Sequence, residues 1–210
     1  MNHRAKIHLS NLEIDLVNNK EWIFTKQKII EKLYNLFGEL HDEYRRIIED
    51  QLEFLPAVFK RPGGKISKGE NYNGLPYLIL DYPAMFGKEN IFAIRTMFWW
   101  CNFFSTSLHL SGNYVKQDHI YEWLSYFREK DFFVCVSETE WEHDFHSMNF
   151  IDIKTLNEKQ AALLTEKDFF KVAKKIELHQ WDETPELLKR SFKEILNFVR
   201  ISFPAGETIP

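Results

Sequence analysis

Hydrophobic positions between residues 25 and 51 recur at three- and four-residue spacing. Ile29, Leu33, Leu36, Phe37, Leu40, Tyr44, Ile47 and Ile48 form one stripe, with charged side chains mostly off it. The pattern predicts a long amphipathic helix from a Thr25 cap to about Gln51. Pro56 and the Arg61-Pro62-Gly63-Gly64 stretch end it and open a loop from Lys60 to Gly74. The middle of the chain is different: Pro76 to Tyr82, Ile91 to Trp99, Phe103 to Leu110, Asp131 to Ser137 and Phe145 to Ile153 are aromatic and β-branched runs of strand length. A helix is the alternative for Lys88 to Phe104, because a continuous apolar run has no diagnostic period. Gln117 to Glu129 returns to helical spacing through Ile120, Trp123, Leu124 and Phe127.

From residue 155 onward, Asn157 with Gln160 and Thr165 with Asp168 resemble capping pairs, and Thr184-Pro185 places proline at a first helical position. These signals predict helices over about 158–164, 166–179 and 185–200. The order of helix, strands and helices predicts one α+β domain over residues 1–210, built on a mostly antiparallel central sheet with a long N-terminal helix and a C-terminal helical section. Residues 1–15 and 203–210 are expected to be loose.

Composition narrows the classes. The 210 residues include 27 basic and 31 acidic groups, a net charge of −4, which argues against a nucleic-acid partner. An aromatic content of 16%, with 19 Phe, excludes disorder. Residues 71–150 hold 5 basic and 10 acidic groups, so the net negative charge belongs to the strand region. No apolar run is long enough to span a membrane, the N-terminus lacks a secretory pattern, and Cys101 and Cys135 are isolated. A cytoplasmic location with reduced thiols is the expectation.

Four stretches carry candidate chemistry. In Phe103 to Gly112, strand alternation sets Ser105, Ser107, His109 and Ser111 on one face and Phe104, Thr106, Leu108 and Leu110 on the other. The polar face is either solvated or the floor of a ligand pocket. Glu138 to His146 concentrates Glu138, Glu140, Glu142, Asp144 and His146 on one side if extended; Glu142 and His146 are the candidate ligands if a divalent metal binds there. It matches no motif of defined mechanism, and no cofactor is identifiable. Lys60 to Gly74 has four glycines and four basic residues in fifteen positions, with Lys68 and Tyr72 as candidate ligand contacts. Met97 to Phe104 is an aromatic run, suited to core, to a pocket wall or to a protein interface. Arg95, on the Trp99 face by alternation, must find a counter-charge or carbonyls, and is the best single candidate for an anion contact.

The Asn18-Asn19-Lys20-Glu21-Trp22 entry into a helix, the Lys65 to Tyr77 segment and Ser107-Leu108-His109-Leu110 together resemble an uncharacterised bacterial and fungal domain family. Its members open on Asn-Asn-x-x-Trp-Phe, then carry a basic-and-aromatic segment before a Pro-Tyr step and a Tyr-Leu-His-Leu-like strand. Ile23 stands where that family has its second aromatic residue, and no lysine follows Pro76-Tyr77. The resemblance implies an α+β fold and no particular activity.

The functional expectation is a small-ligand or protein-binding domain with a cleft over the sheet. Arg95, Ser105, Ser107 and His109 would form its floor, and Lys68 and Tyr72 its flank. The rivals are a metal-assisted hydrolase or other enzyme using His109 or the Glu138–His146 segment, and an interaction module using residues 98–104.

Overall fold

The computed structural model describes residues 7–60 and 62–205. His3, Arg61 of the glycine-rich stretch and the tail after residue 205 lie outside the described residues. The chain divides within its long helix into two compact units, residues 1–36 and 37–210.

In the first unit, α1 (Asn11–Asn18) opens on a capping box: Ser10 Oγ accepts from Glu13 N and the Glu13 carboxylate accepts from Ser10 N. Helical order therefore begins inside the stretch expected to be loose. None of its residues is buried, and Leu12, Ile14, Leu16 and Val17 are exposed. The long helix α2 (Lys20–Glu49) starts five residues before the expected Thr25. Asn19 explains the difference: its Oδ1 accepts from Trp22 N at 2.9 Å and satisfies a first-turn donor, so Thr25 is not needed as a cap.

The second unit is α+β. Its seven strands are β1 (Lys65–Tyr72), β2 (Leu75–Phe86), β3 (Ile91–Trp99), β4 (Phe103–Ser111), β5 (Phe133–Cys135), β6 (Phe150–Asp152) and β7 (Phe169–Glu177). They form one sheet in the order β1-β2-β3-β4-β7-β5-β6, antiparallel at each described pairing. The glycine-rich stretch expected to be a loop is mostly edge strand. Asn73 and Gly74 take φ of 49° and 81°, the two left-handed residues of a tight hairpin, so β1 folds straight back on β2. Gly69 is required by contact rather than by φ, since a Cβ there would lie 2.3 Å from the Tyr77 ring. Lys88 to Phe104 is strand and turn, not helix. The last two predicted strands shorten to the three-residue β5 and β6.

The largest correction is β7. Phe169, Val172, Ala173 and Ile176 have helical spacing, but they belong to an inner strand between β4 and β5, with Phe169 to Ala173 all buried. A strand covered on both faces loses its two-residue alternation, and the surviving apolar positions imitate a helix. Thr165 ends α4 (Glu158–Leu164) instead of starting a helix; its Oγ1 donates to Ala162 O. The predicted capping box of α4 is present, with Asn157 Oδ1 accepting from Gln160 N at 2.9 Å.

One sheet face bears the main core. Leu80, Thr96 and Thr106 lie on it in one cross-strand row, and Ile94, Leu108 and Val172 in the next. The C-terminal part of α2, α3 (Ile120–Arg128) and α5 (Thr184–Ser202) cover it. Tyr44 stacks on Phe192 at 3.7 Å and shares a 3.2 Å hydrogen bond with Thr96 Oγ1. Trp123 meets Phe170 and Phe198. Phe203, expected at the start of a loose tail, is fully buried against Phe92 and Trp123. No helix among the described residues is long and apolar enough to cross a membrane.

Candidate functional site

The other sheet face is polar in its middle and is covered by an irregular segment, residues 136–149. Register builds it row by row. Asp81, Arg95, Ser107 and Ala173 are successive cross-strand partners; His109 pairs with Lys171 in the next row, and Ser105 with Met97 and Lys175 on the other side. Arg95, Ser105, Ser107 and His109 therefore share one face, as alternation predicts. Apolar clusters flank them. Ile79, Met97, Trp99 and Phe103 lie on one side, Cys135, Phe150, Phe169 and Ala173 on the other, and Phe145 of the covering segment packs against both.

Arg95 finds its counter-charge on the neighbouring strand. Its Nε and Nη2 donate to the two Asp81 carboxylate oxygens at 2.7 and 3.0 Å, a bidentate pair with Asp81 5% exposed. The third contact of Arg95 is Nη1 to His143 Nε2 at 3.0 Å, so this cation is engaged inside the protein. Beside it the Lys171 side-chain nitrogen is buried. Its Nζ donates to Glu140 O at 2.8 Å and to Glu142 O, and lies 3.4 Å from His143 Nδ1. Burial pushes the Lys171 amine down to about 7, with Arg95 adding to the shift. Burial likewise holds His143 well below the usual imidazole range and His109 at about 3, with Lys171 and Arg95 reinforcing both. The neutral His109 ring has no hydrogen-bond partner at Nε2, which lies 3.6 Å from a Glu140 oxygen. Burial raises the Glu140 carboxyl.

Tyr72 fastens the covering segment from β1. Its hydroxyl accepts from His143 N at 2.7 Å and Asp144 N at 3.1 Å, and donates to Glu142 Oε2 at 3.0 Å. Burial raises this phenol to about 12, so it stays protonated and keeps its donor. Asn73 Nδ2 donates to Asp144 Oδ2, and Lys167 Nζ to Ser137 O. Trp141 lies edge-on to His109, ring centres 5.4 Å apart.

Lys68 is placed elsewhere. It pairs with Leu78, whereas Ser67 and Lys65 are the β1 residues on the Asp81 face, so the exposed Lys68 points away from the group. Glu142 and His146 are not assembled as metal ligands. The Glu142 carboxylate accepts from Tyr72, His146 is exposed, and no group of three His, Cys, Asp or Glu able to hold a metal occurs among the described residues. The segment is irregular rather than extended, so the one-sided array expected for its acidic residues does not form. Phe98, Trp99, Phe103 and Phe104 are buried, which uses the aromatic run as core on both faces.

Sequence reasoning missed Asp81 and Lys171, and placed Glu140 only in an acidic row rather than beside His109. The signal for Asp81 was available: one acid in the apolar run Leu78 to Tyr82 and one Arg in Ile91 to Trp99, both needing a partner. Lys171 was hidden by the helical reading of β7.

The face continues past Ser105 into an open cleft of about 560 Å³. Trp99, Phe103 and Phe145 are its aromatic lining; Asn102, Asp144, His146, Asn149, Lys175 and Glu177 are polar around them. Those charges are satisfied internally. Lys175 pairs with Glu177 at 2.7 Å, and Asp144 accepts from Asn73, from Asn149 Nδ2 and from His146 N. No family model matches this chain, and no curated protein or solved structure is significantly similar to it.

Proposed function

We propose that the protein binds a small, flat, largely apolar ligand in the cleft between the β3–β4 turn, the end of β7 and the covering segment. The observation that carries this reading is the cleft itself: about 560 Å³, within the size range of small-molecule sites, with three aromatic side chains and a polar rim. Because the rim charges already have partners, the cleft suits a neutral or dipolar molecule better than a strong anion. Arg95, Ser107 and His109 belong to the polar floor under the covering segment, and Ser105, opposite Lys175, links floor and cleft.

The test uses the full chain with indole, benzoate and adenosine as probes, followed by saturation-transfer and chemical-shift NMR. At least one probe should bind at millimolar affinity or better, shift the Trp99 indole and Lys175 resonances, and weaken by about tenfold in Phe145→Ala, a loss expected for one stacking surface. Absence of binding by all three probes, or equal binding by the variant, overturns the reading.

A further inference from the structure

The hydrogen-bond arithmetic around Lys171 fixes a protonation state. His143 presents two ring nitrogens, and a neutral imidazole has one donor and one acceptor. The Arg95 guanidinium has only N–H groups, and its Nη1 lies 3.0 Å from Nε2. Nε2 must then be the acceptor, which leaves the ring proton on Nδ1, aimed at Lys171 Nζ. A neutral amine has two N–H groups and one lone pair. Two N–H groups match the carbonyls of Glu140 and Glu142, and the lone pair matches Nδ1–H. Each N–H of the Lys171 amine, and the His143 ring proton, then has an acceptor. An ammonium would bring a third N–H to Nδ1, forcing the ring proton onto Nε2, where it would face the Arg95 donor.

From this geometry we infer that Lys171 sits as a neutral amine that accepts from His143 and latches residues 140–143 onto the sheet, and that uptake of a proton from water by the amine opens the latch. The groups facing Lys171 from each packed element agree. β3 supplies Arg95, itself paired with Asp81 of β2; β4 supplies the neutral His109; β5 supplies Cys135, whose thiol burial raises; and the covering segment supplies Glu140, Glu142 and His143. The two glutamates are the only anions directly facing it among the described residues, and each also offers its carbonyl. Lowered proton affinity at both Lys171 and His143 is consistent with the neutral pair.

The latched segment supplies Asp144, Phe145, His146 and Asn149 to the cleft. As a regulator of ligand binding the latch rests on the reading proposed above; as a property of Lys171 it does not. Opening would loosen one wall, so an acid shift would release a bound molecule.

The experiment needs no variant and no ligand. The Lys171 Cε and Nζ resonances of the full chain are assigned and titrated between about pH 5 and 11, and amide exchange of residues 140–145 is followed over the same range, corrected for intrinsic rate. A Lys171 midpoint below about pH 8, against about 10.4 for an ordinary lysine, with protection of residues 140–145 falling at least about tenfold below that midpoint, supports the latch. A midpoint at or above about pH 8, or a smaller loss of protection, overturns it. Neither readout involves the probes, so failure of the cleft to bind them leaves the latch standing, and failure of the latch leaves the binding result intact. Lys171→Arg, which stays charged at all these pH values, should show the open exchange pattern throughout.

Discussion

At the residue scale the arrangement turns on Arg95 and the carboxylate opposite it. Asp81 is nearly fully buried, so replacing it by Asn leaves a desolvated guanidinium without its counter-charge. Breaking a buried pair from one side costs about 3–5 kcal/mol, whereas exchanging both partners for apolar residues of similar volume is often close to neutral. Asp81→Asn should therefore lower the free energy of unfolding by about that amount in urea titrations. The double variant Asp81→Leu with Arg95→Met should recover most of the loss, while also removing the donor that sets the His143 tautomer. If Asp81→Asn is as stable as the parent, the Arg95 charge is being met elsewhere. Tyr72 acts on the covering segment. Tyr72→Phe removes three hydrogen bonds to residues 142–144, each worth about 0.5–1.5 kcal/mol, and should raise amide exchange in that segment while lowering the free energy of unfolding by about 1.5–4.5 kcal/mol.

At the element scale, legibility followed exposure. The bounds of β3, Ile91 to Trp99, were readable, although its continuous apolar run left a helix open as the alternative. The serine–histidine face of β4 was readable because its partner face is uniformly apolar apart from Thr106. β7 was not: covered by helices on one side and by residues 136–149 on the other, it carries Phe, Val, Ala and Lys with no period of two. Lys171 on such a strand looks from sequence like the polar side of a helix. The covering segment was legible as acidic but not as a lid, because its anchors Tyr72, Arg95 and Lys171 are distant in sequence and meet it only through the register of β1-β2-β3-β4-β7. A direct check is the backbone chemical shift of residues 169–177, which should be strand-like throughout. Phe192→Ala, on the fully buried stripe of α5, should cost about 3–5 kcal/mol.

At the scale of the whole molecule, the buried bases set how stability responds to pH. A base whose affinity for protons is depressed on folding makes the unfolded chain bind the extra proton, so stability is complete above the unfolded value and is lost as pH falls towards the folded one. For His109 that window runs from about 6.5 down to about 3, with His143 adding to the same trend. The raised carboxyl of Glu140 works in the opposite sense just above 4.5, being protonated in the folded chain and ionised in the unfolded one, and so offsets part of the histidine slope. The window from about 7 to 10.5 belongs to Lys171. There one proton separates the two states, and stability should rise with pH by up to about 1.4 kcal/mol per unit, a tenfold fall in the unfolding constant. Above pH 10 the raised phenols of Tyr44 and Tyr72 reverse the sign, since the unfolded chain ionises first. The stability maximum should therefore lie near pH 10, above the usual range of about pH 5–8. Urea midpoints measured between pH 7 and 10 should climb in the parent and flatten in Lys171→Met. A parent curve that is flat over that interval would mean that the amine is charged in the folded protein and that the segment is held shut by an ordinary ammonium.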